Sequence, residues 1–114
     1  MKCLGKKGEI ILPSFTWVSS ANAIINCGCA PVFTDIDFNS KNIDPYEIEK
    51  KINKKTVAIM VVHFSGLPCN MTPIIKLCKK YNLELIEDSA ETLGATYNKK
   101  FTGSFGIGCF SFFP

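Results

Sequence analysis

Residues 57–62 read VAIMVV, an unbroken apolar run rich in β-branched side chains. A strand with one face in water alternates apolar and polar residues. A run without alternation marks a strand buried on both faces, as in the middle of a parallel sheet. Just upstream, Asp44-Pro45-Tyr46-Glu47 reads as a helix start. Asp44 is placed to cap, Pro45 to take the first helical position, Glu47 to complete a capping box, and Ile43 and Ile48 to staple the turn. Further back, Val32–Asp35 and Glu9–Leu12 read as strands, the latter closed by Pro13. Between them, Trp17–Cys27 carries Val18, Ala21, Ile24 and Ile25 at helical spacing, with Gly28 as the residue that ends the helix. Downstream, Thr72-Pro73 opens a helix with Ile74, Ile75, Cys78 and Tyr81 on one stripe. Leu83–Ile86 and Ile107–Phe112 are the last strands, separated by a polar hairpin around Asn98-Lys99-Lys100.

Strands alternating with helices predict right-handed βαβ units. The expected fold is α/β, a mostly parallel sheet with helices on both faces and local strand order 2-1-3-4-5, formed by residues 1–114 as one unit. In such a sheet a ligand binds outside the carboxyl ends of the strands. That rule directs attention to Pro13–Trp17, His63–Gly66, Asp88–Glu91 and the residues after Ser111.

The composition, 46% hydrophobic and 20% charged over 114 residues, is that of a globular domain. The net charge of +3 comes from lysine pairs scattered along the chain. They read as solvated surface, not as a nucleic-acid stripe, which needs basic residues gathered on one face. The apolar runs are strand-length, too short to span a bilayer as helices. Six cysteines, Cys3, Cys27, Cys29, Cys69, Cys78 and Cys109, form no CxxC pair, and the single His63 has no metal-ligand spacing. With no signal peptide ahead of them, they are expected to be reduced thiols of a cytoplasmic protein.

Few residues carry chemistry on their own. Asp88 ends a strand, where an unpaired carboxylate is costly to bury. It fits a helix cap, a Mg²⁺ ligand or the partner of a protonated ring nitrogen, and a protonated pyridine is a strong electron sink. Trp17, the only tryptophan, either anchors its helix in the core or stacks on a planar ligand. Ser111, on the last predicted strand, fits a hydrogen bond to a phosphate oxygen. Gly103–Gly108 opens no helix, so it is not a dinucleotide-binding loop.

Taken together, LPSFTWVSSANAIINCGCAPVFTDID, VHFSGLPCNM and IEDSAETLGATYNKKFTGSFGIGCFSFFP resemble the DegT/StrS-type sugar aminotransferases, pyridoxal-phosphate enzymes of the aspartate-aminotransferase fold, fold type I. The resemblance runs from about Gly5 to Pro114. It implies that Trp17 stacks on the pyridine ring, Asp88 pairs with its nitrogen, and Ser111 holds the cofactor phosphate. Glu91 takes the position where relatives carry Gln or His near the phenolic oxygen, and a carboxylate there repels a phenolate unless protonated or turned away. His63 matches a position near the site without an assigned role.

The resemblance further implies a partial large domain, with the family's N-terminal segment and C-terminal small domain absent. The Schiff-base lysine would lie two residues beyond Pro114, leaving no catalytic residue within the chain. Relatives read GSFGDIGCFSF, whereas Gly103-Ser104-Phe105-Gly106-Ile107-Gly108 is one acidic residue shorter, which would shift the approach to the last strand. The implied activity is amination of a nucleotide-linked keto-sugar with an amino acid as donor, in a homodimer, without nucleic acid or membrane. The alternatives are a non-catalytic or complementing piece, a sugar dehydratase of the same fold with His in place of the lysine, and a flavodoxin-like binding domain of the same strand order.

Overall fold

The VAIMVV run lies in the middle of the sheet. The computed structural model describes residues 5–113, so Cys3 and Pro114 fall outside the described residues. The order is β1 (Glu9–Pro13), α1 (Val18–Asn26), β2 (Ala30–Thr34), α2 (Pro45–Lys51), β3 (Thr56–Val62), α3 (Met71–Tyr81), β4 (Glu84–Asp88), β5 (Thr96–Tyr97), β6 (Lys100–Phe101) and β7 (Ile107–Cys109). A 3-10 turn at Phe64–Gly66 follows β3. Five strands pair in the order β2-β1-β3-β4-β7, all parallel, which is the expected 2-1-3-4-5 when the sheet strands alone are counted.

The absence of alternation in β3 has the expected physical cause. Ile59 and Val61 point into a cluster with Ile11, Leu85, Ile48 of α2 and Ile74 and Leu77 of α3. Their neighbours Ala58 and Met60 point the other way, into a cluster with Ile10, Leu12, Ile86 and Ile24 of α1. Helices therefore cover both faces. Each fully buried Ile or Leu contributes about 2 kcal/mol of transfer free energy.

Local signals act as read, with two corrections. Asp44 Oδ1 accepts the Tyr46 N–H at 2.9 Å, and Pro45 takes the first helical position. Glu47, however, does not reach back to complete the capping box. It pairs with Lys50, while the Asp44 N–H donates to the Asp35 carbonyl at 3.2 Å. The second correction concerns the last strand, which stops at Cys109 and not at Phe112. Its partner β4 ends at Asp88, opposite Cys109, and the Ser89 N–H to Cys109 carbonyl bond closes the ladder. Ser111 thus lies beyond the strand, where the chain is free to bend toward the crevice. The expected hairpin joins β5 to β6 through Asn98 and Lys99, both left-handed at φ 50° and 64°, as a two-residue turn of type I′ requires.

Candidate functional site

At the carboxyl end of the sheet, β1 leads into Phe15–Trp17, β3 into the 3-10 turn, β4 into Ser89–Glu91 and β7 into Phe110–Phe113. Two cavities open there. One, of about 280 Å³, is walled by Phe15, Trp17, His63, Phe64, Asp88 and Glu91. The other, of about 660 Å³, is bounded by Trp17, Ser20, Met60, Asp88, Glu91 and Ser111. All four residues singled out from the sequence line this crevice, and Trp17, Asp88 and Glu91 line both cavities.

Trp17 is 77% exposed, which excludes the core-anchor reading. It precedes α1 with an extended backbone and makes no side-chain cap. Nor does Asp88 cap a helix, since none starts after β4. Its Oδ2 accepts the Ser20 hydroxyl at 2.9 Å, and its Oδ1 accepts the Ala90 N–H at 3.3 Å. No ion pair among the described residues involves this carboxylate. Glu91 accepts the Ser65 N–H on Oε2, and Ser65 is left-handed at φ 52°. One oxygen of Glu91 is therefore engaged with the backbone of the 3-10 turn. The shorter loop before β7 does not turn Ser111 from the crevice, because Ser111 lines the larger cavity.

The residue that sequence reasoning missed is Glu87. Its side chain is fully buried, and each carboxylate oxygen takes two donors. Oε1 accepts the N–H groups of Phe105 and Gly106, both at 2.7 Å; Oε2 accepts the Gly103 N–H at 2.8 Å and lies 3.2 Å from His63 Nε2. His63 Nδ1 accepts the Cys69 N–H at 3.0 Å, so the ring proton sits on Nε2, aimed at Glu87. Burial by itself raises the Glu87 carboxyl. The His63 hydrogen bond and then the three backbone donors outweigh it, holding the group below the usual carboxylate range. A charged residue at the end of an apolar strand, followed by a glycine-rich loop that offers free N–H groups, was the available signal.

Asn42 was missed too. Its Oδ1 accepts the Phe64 N–H and its Nδ2 donates to the Leu67 carbonyl, both at 2.9 Å, fixing the turn that walls the smaller cavity. Gly106 packs its Cα against the Leu85 backbone, leaving no room for a side chain where the loop enters β7.

A sequence model of the DegT/DnrJ/EryC1/StrS aminotransferase family matches residues 1–114. The chain belongs to this family. Within it, the chain is 44% identical over 106 residues to the GDP-perosamine synthase of Vibrio cholerae, covering 92% of this chain and 29% of that protein. It is 48% identical over 103 residues to the dTDP-3-amino-3,6-dideoxy-alpha-D-galactopyranose transaminase of Aneurinibacillus thermoaerophilus, covering 90% and 28%. Among solved structures, the E. coli GDP-4-keto-6-deoxy-D-mannose-3-dehydratase with bound hydrated PLP superposes with a TM-score of 0.88 at 38% identity, covering 95% of this chain and 28% of that one. The chain thus spans under a third of the length of these relatives, and its five-stranded sheet follows the fold of the family's PLP enzymes. No helix among the described residues is long and apolar enough to cross a membrane.

Proposed function

We propose that residues 1–114 are part of the large, cofactor-binding domain of a pyridoxal 5′-phosphate enzyme that aminates a nucleotide-linked keto-sugar. The observation that carries this reading is Asp88. A carboxylate without a cationic partner among the described residues lines a crevice whose other wall is an exposed tryptophan. A flat, positively charged heterocycle matches that pair: the indole face takes the ring and the carboxylate takes its N–H⁺. Bound there, the cofactor would supply an electron sink for breaking the C–H bond of an amino-acid donor.

The chain's own residues do the rest. Trp17 would cover one ring face, Asp88 would hold the protonated ring nitrogen, and Ser111 would offer a hydroxyl to the phosphate. Glu91, which lines the same crevice with one oxygen already engaged by Ser65, would face the cofactor with the other. Among the described residues no lysine lines either cavity, and in this reading the amine that anchors the cofactor is supplied from elsewhere. The likeness to a dehydratase supports a second reading, removal of a sugar hydroxyl on the same scaffold. The residue at the lysine position separates the two.

Because Trp17 is the only tryptophan, its fluorescence reports directly on the crevice. Titration with pyridoxamine 5′-phosphate, which needs no lysine, is expected to quench it. Asp88→Ala weakens binding by roughly tenfold or more, the worth of one charge-assisted hydrogen bond. Absence of quenching at millimolar ligand, or equal binding by Asp88→Ala, refutes the reading.

A further inference from the structure

A directed chain of hydroxyl groups runs into the carboxylate of Asp88 from the side of α1. Ser20, in the first turn of that helix and only 5% exposed, lies 2.9 Å from Asp88 Oδ2. Thr16 Oγ1 lies 3.0 Å from Ser20 Oγ. The direction follows from proton count. A carboxylate only accepts, so the single hydroxyl proton of Ser20 goes to Asp88, and Thr16 must be the donor to Ser20. Hydroxyls linked in this way polarise one another, which strengthens the last bond in the chain. The same carboxylate has the Ala90 N–H on its other oxygen, so its torsion is held from both sides.

Resting on the reading of Asp88 as the partner of a ring nitrogen, we propose that Thr16 and Ser20 are positioning residues. Neither needs to touch the cofactor. With its proton directed to Oδ2, Ser20 leaves Asp88 as an acceptor toward the ring N–H⁺. It also fixes the plane of the carboxylate, leaving the remaining lone pairs in one orientation toward the crevice. Thr16 acts one step back, by committing the Ser20 proton to Asp88. The helix that carries Ser20 follows directly on Trp17, so the residue covering the ring face and the residue tuning its nitrogen partner are set by one backbone segment.

A merely structural role for Ser20 would weaken every ligand alike. The test therefore compares two probes on the full chain by Trp17 quenching: pyridoxamine 5′-phosphate and its analogue with C–H in place of the ring nitrogen. The wild type is expected to prefer the nitrogen-bearing probe by about tenfold. Ser20→Ala is expected to cut that preference to about threefold or less while binding the carbon analogue as the wild type does. Thr16→Val falls between, and Ser20→Thr, which keeps the hydroxyl, restores the preference. Ser20→Ala retaining the full preference, or losing both probes in parallel, overturns the proposal and leaves the cofactor reading standing. A wild type that binds neither probe, or does not discriminate between them, overturns the cofactor reading itself and this proposal with it. Alanine is a better helix former than serine, so Ser20→Ala is expected to fold, and far-UV circular dichroism checks it.

Discussion

Replacing Glu87 is the most informative perturbation of the fold around the crevice. Its carboxylate saturates four donors: three backbone N–H groups of the loop 103–106 and the ring N–H of His63. Glu87→Ala removes all four acceptor contacts at once. Each stranded donor is taken at the low end of the penalty for an unpaired polar group, about 1 kcal/mol. Four such losses total about 4 kcal/mol, a large share of a small domain's stability of about 5–15 kcal/mol. Glu87→Gln keeps one acceptor oxygen but turns an NH₂ group toward two of the donors, so about half that loss is expected.

The pH dependence has a definite sign. The folded group binds its proton less tightly than the unfolded chain. Its stabilisation is therefore present above the unfolded glutamate value of about 4.3 and is lost as pH falls through the lower folded value. Glu87→Gln abolishes that acid-side slope. Urea unfolding followed by far-UV circular dichroism, at neutral pH and between pH 3 and 5, measures both effects, with amide exchange at Gly103, Phe105 and Gly106 as the local readout. A loss of under about 1 kcal/mol for Glu87→Ala, with those three amides still protected, would show that the loop stands without the carboxylate.

Three further outcomes are expected. Lys99→Gly relieves a left-handed lysine in the β5–β6 turn and raises stability by about 0.5–1 kcal/mol in the same unfolding assay. Asn42→Ala strips both bonds that tie down Phe64 and Leu67, costing about 2 kcal/mol, and speeds amide exchange at Phe64. Burial in the core pushes the Cys69 thiol up to about 12 and that of Cys78 up to about 11. Both should resist iodoacetamide at pH 7.5 in the native protein while half-buried Cys27 and Cys29 react ahead of them, as peptide mass spectrometry would show.

The layered architecture was legible in the sequence because each signal for it is local. VAIMVV is apolar throughout because successive side chains of β3 enter opposite clusters, a period set by strand geometry alone. Asp44-Pro45 and Gly28 announced helix ends because capping needs only the neighbouring turn. The same locality misled at Glu47, where the side chain had a nearer partner in Lys50, and at Ser111, where β-rich residues continue past the point at which β4 stops offering a ladder.

The crevice was half legible. The end-of-strand rule pointed to Trp17, Asp88 and Glu91 and the family resemblance to Ser111, but spacing could not decide whether Trp17 faces the core or the crevice. Only the assembled sheet showed it exposed. The bonds that hold the carboxylates of Asp88 and Glu87 were beyond sequence reasoning: Ser20 reaches Asp88 across 68 positions, and Glu87 gathers donors from a loop 16 to 19 residues on. Backbone periodicity is fixed within one or two turns of chain, so residues alone reveal it. A hydrogen bond between distant segments depends on how crossovers stack helix on sheet to within a fraction of an ångström, and that distance is decided by packing.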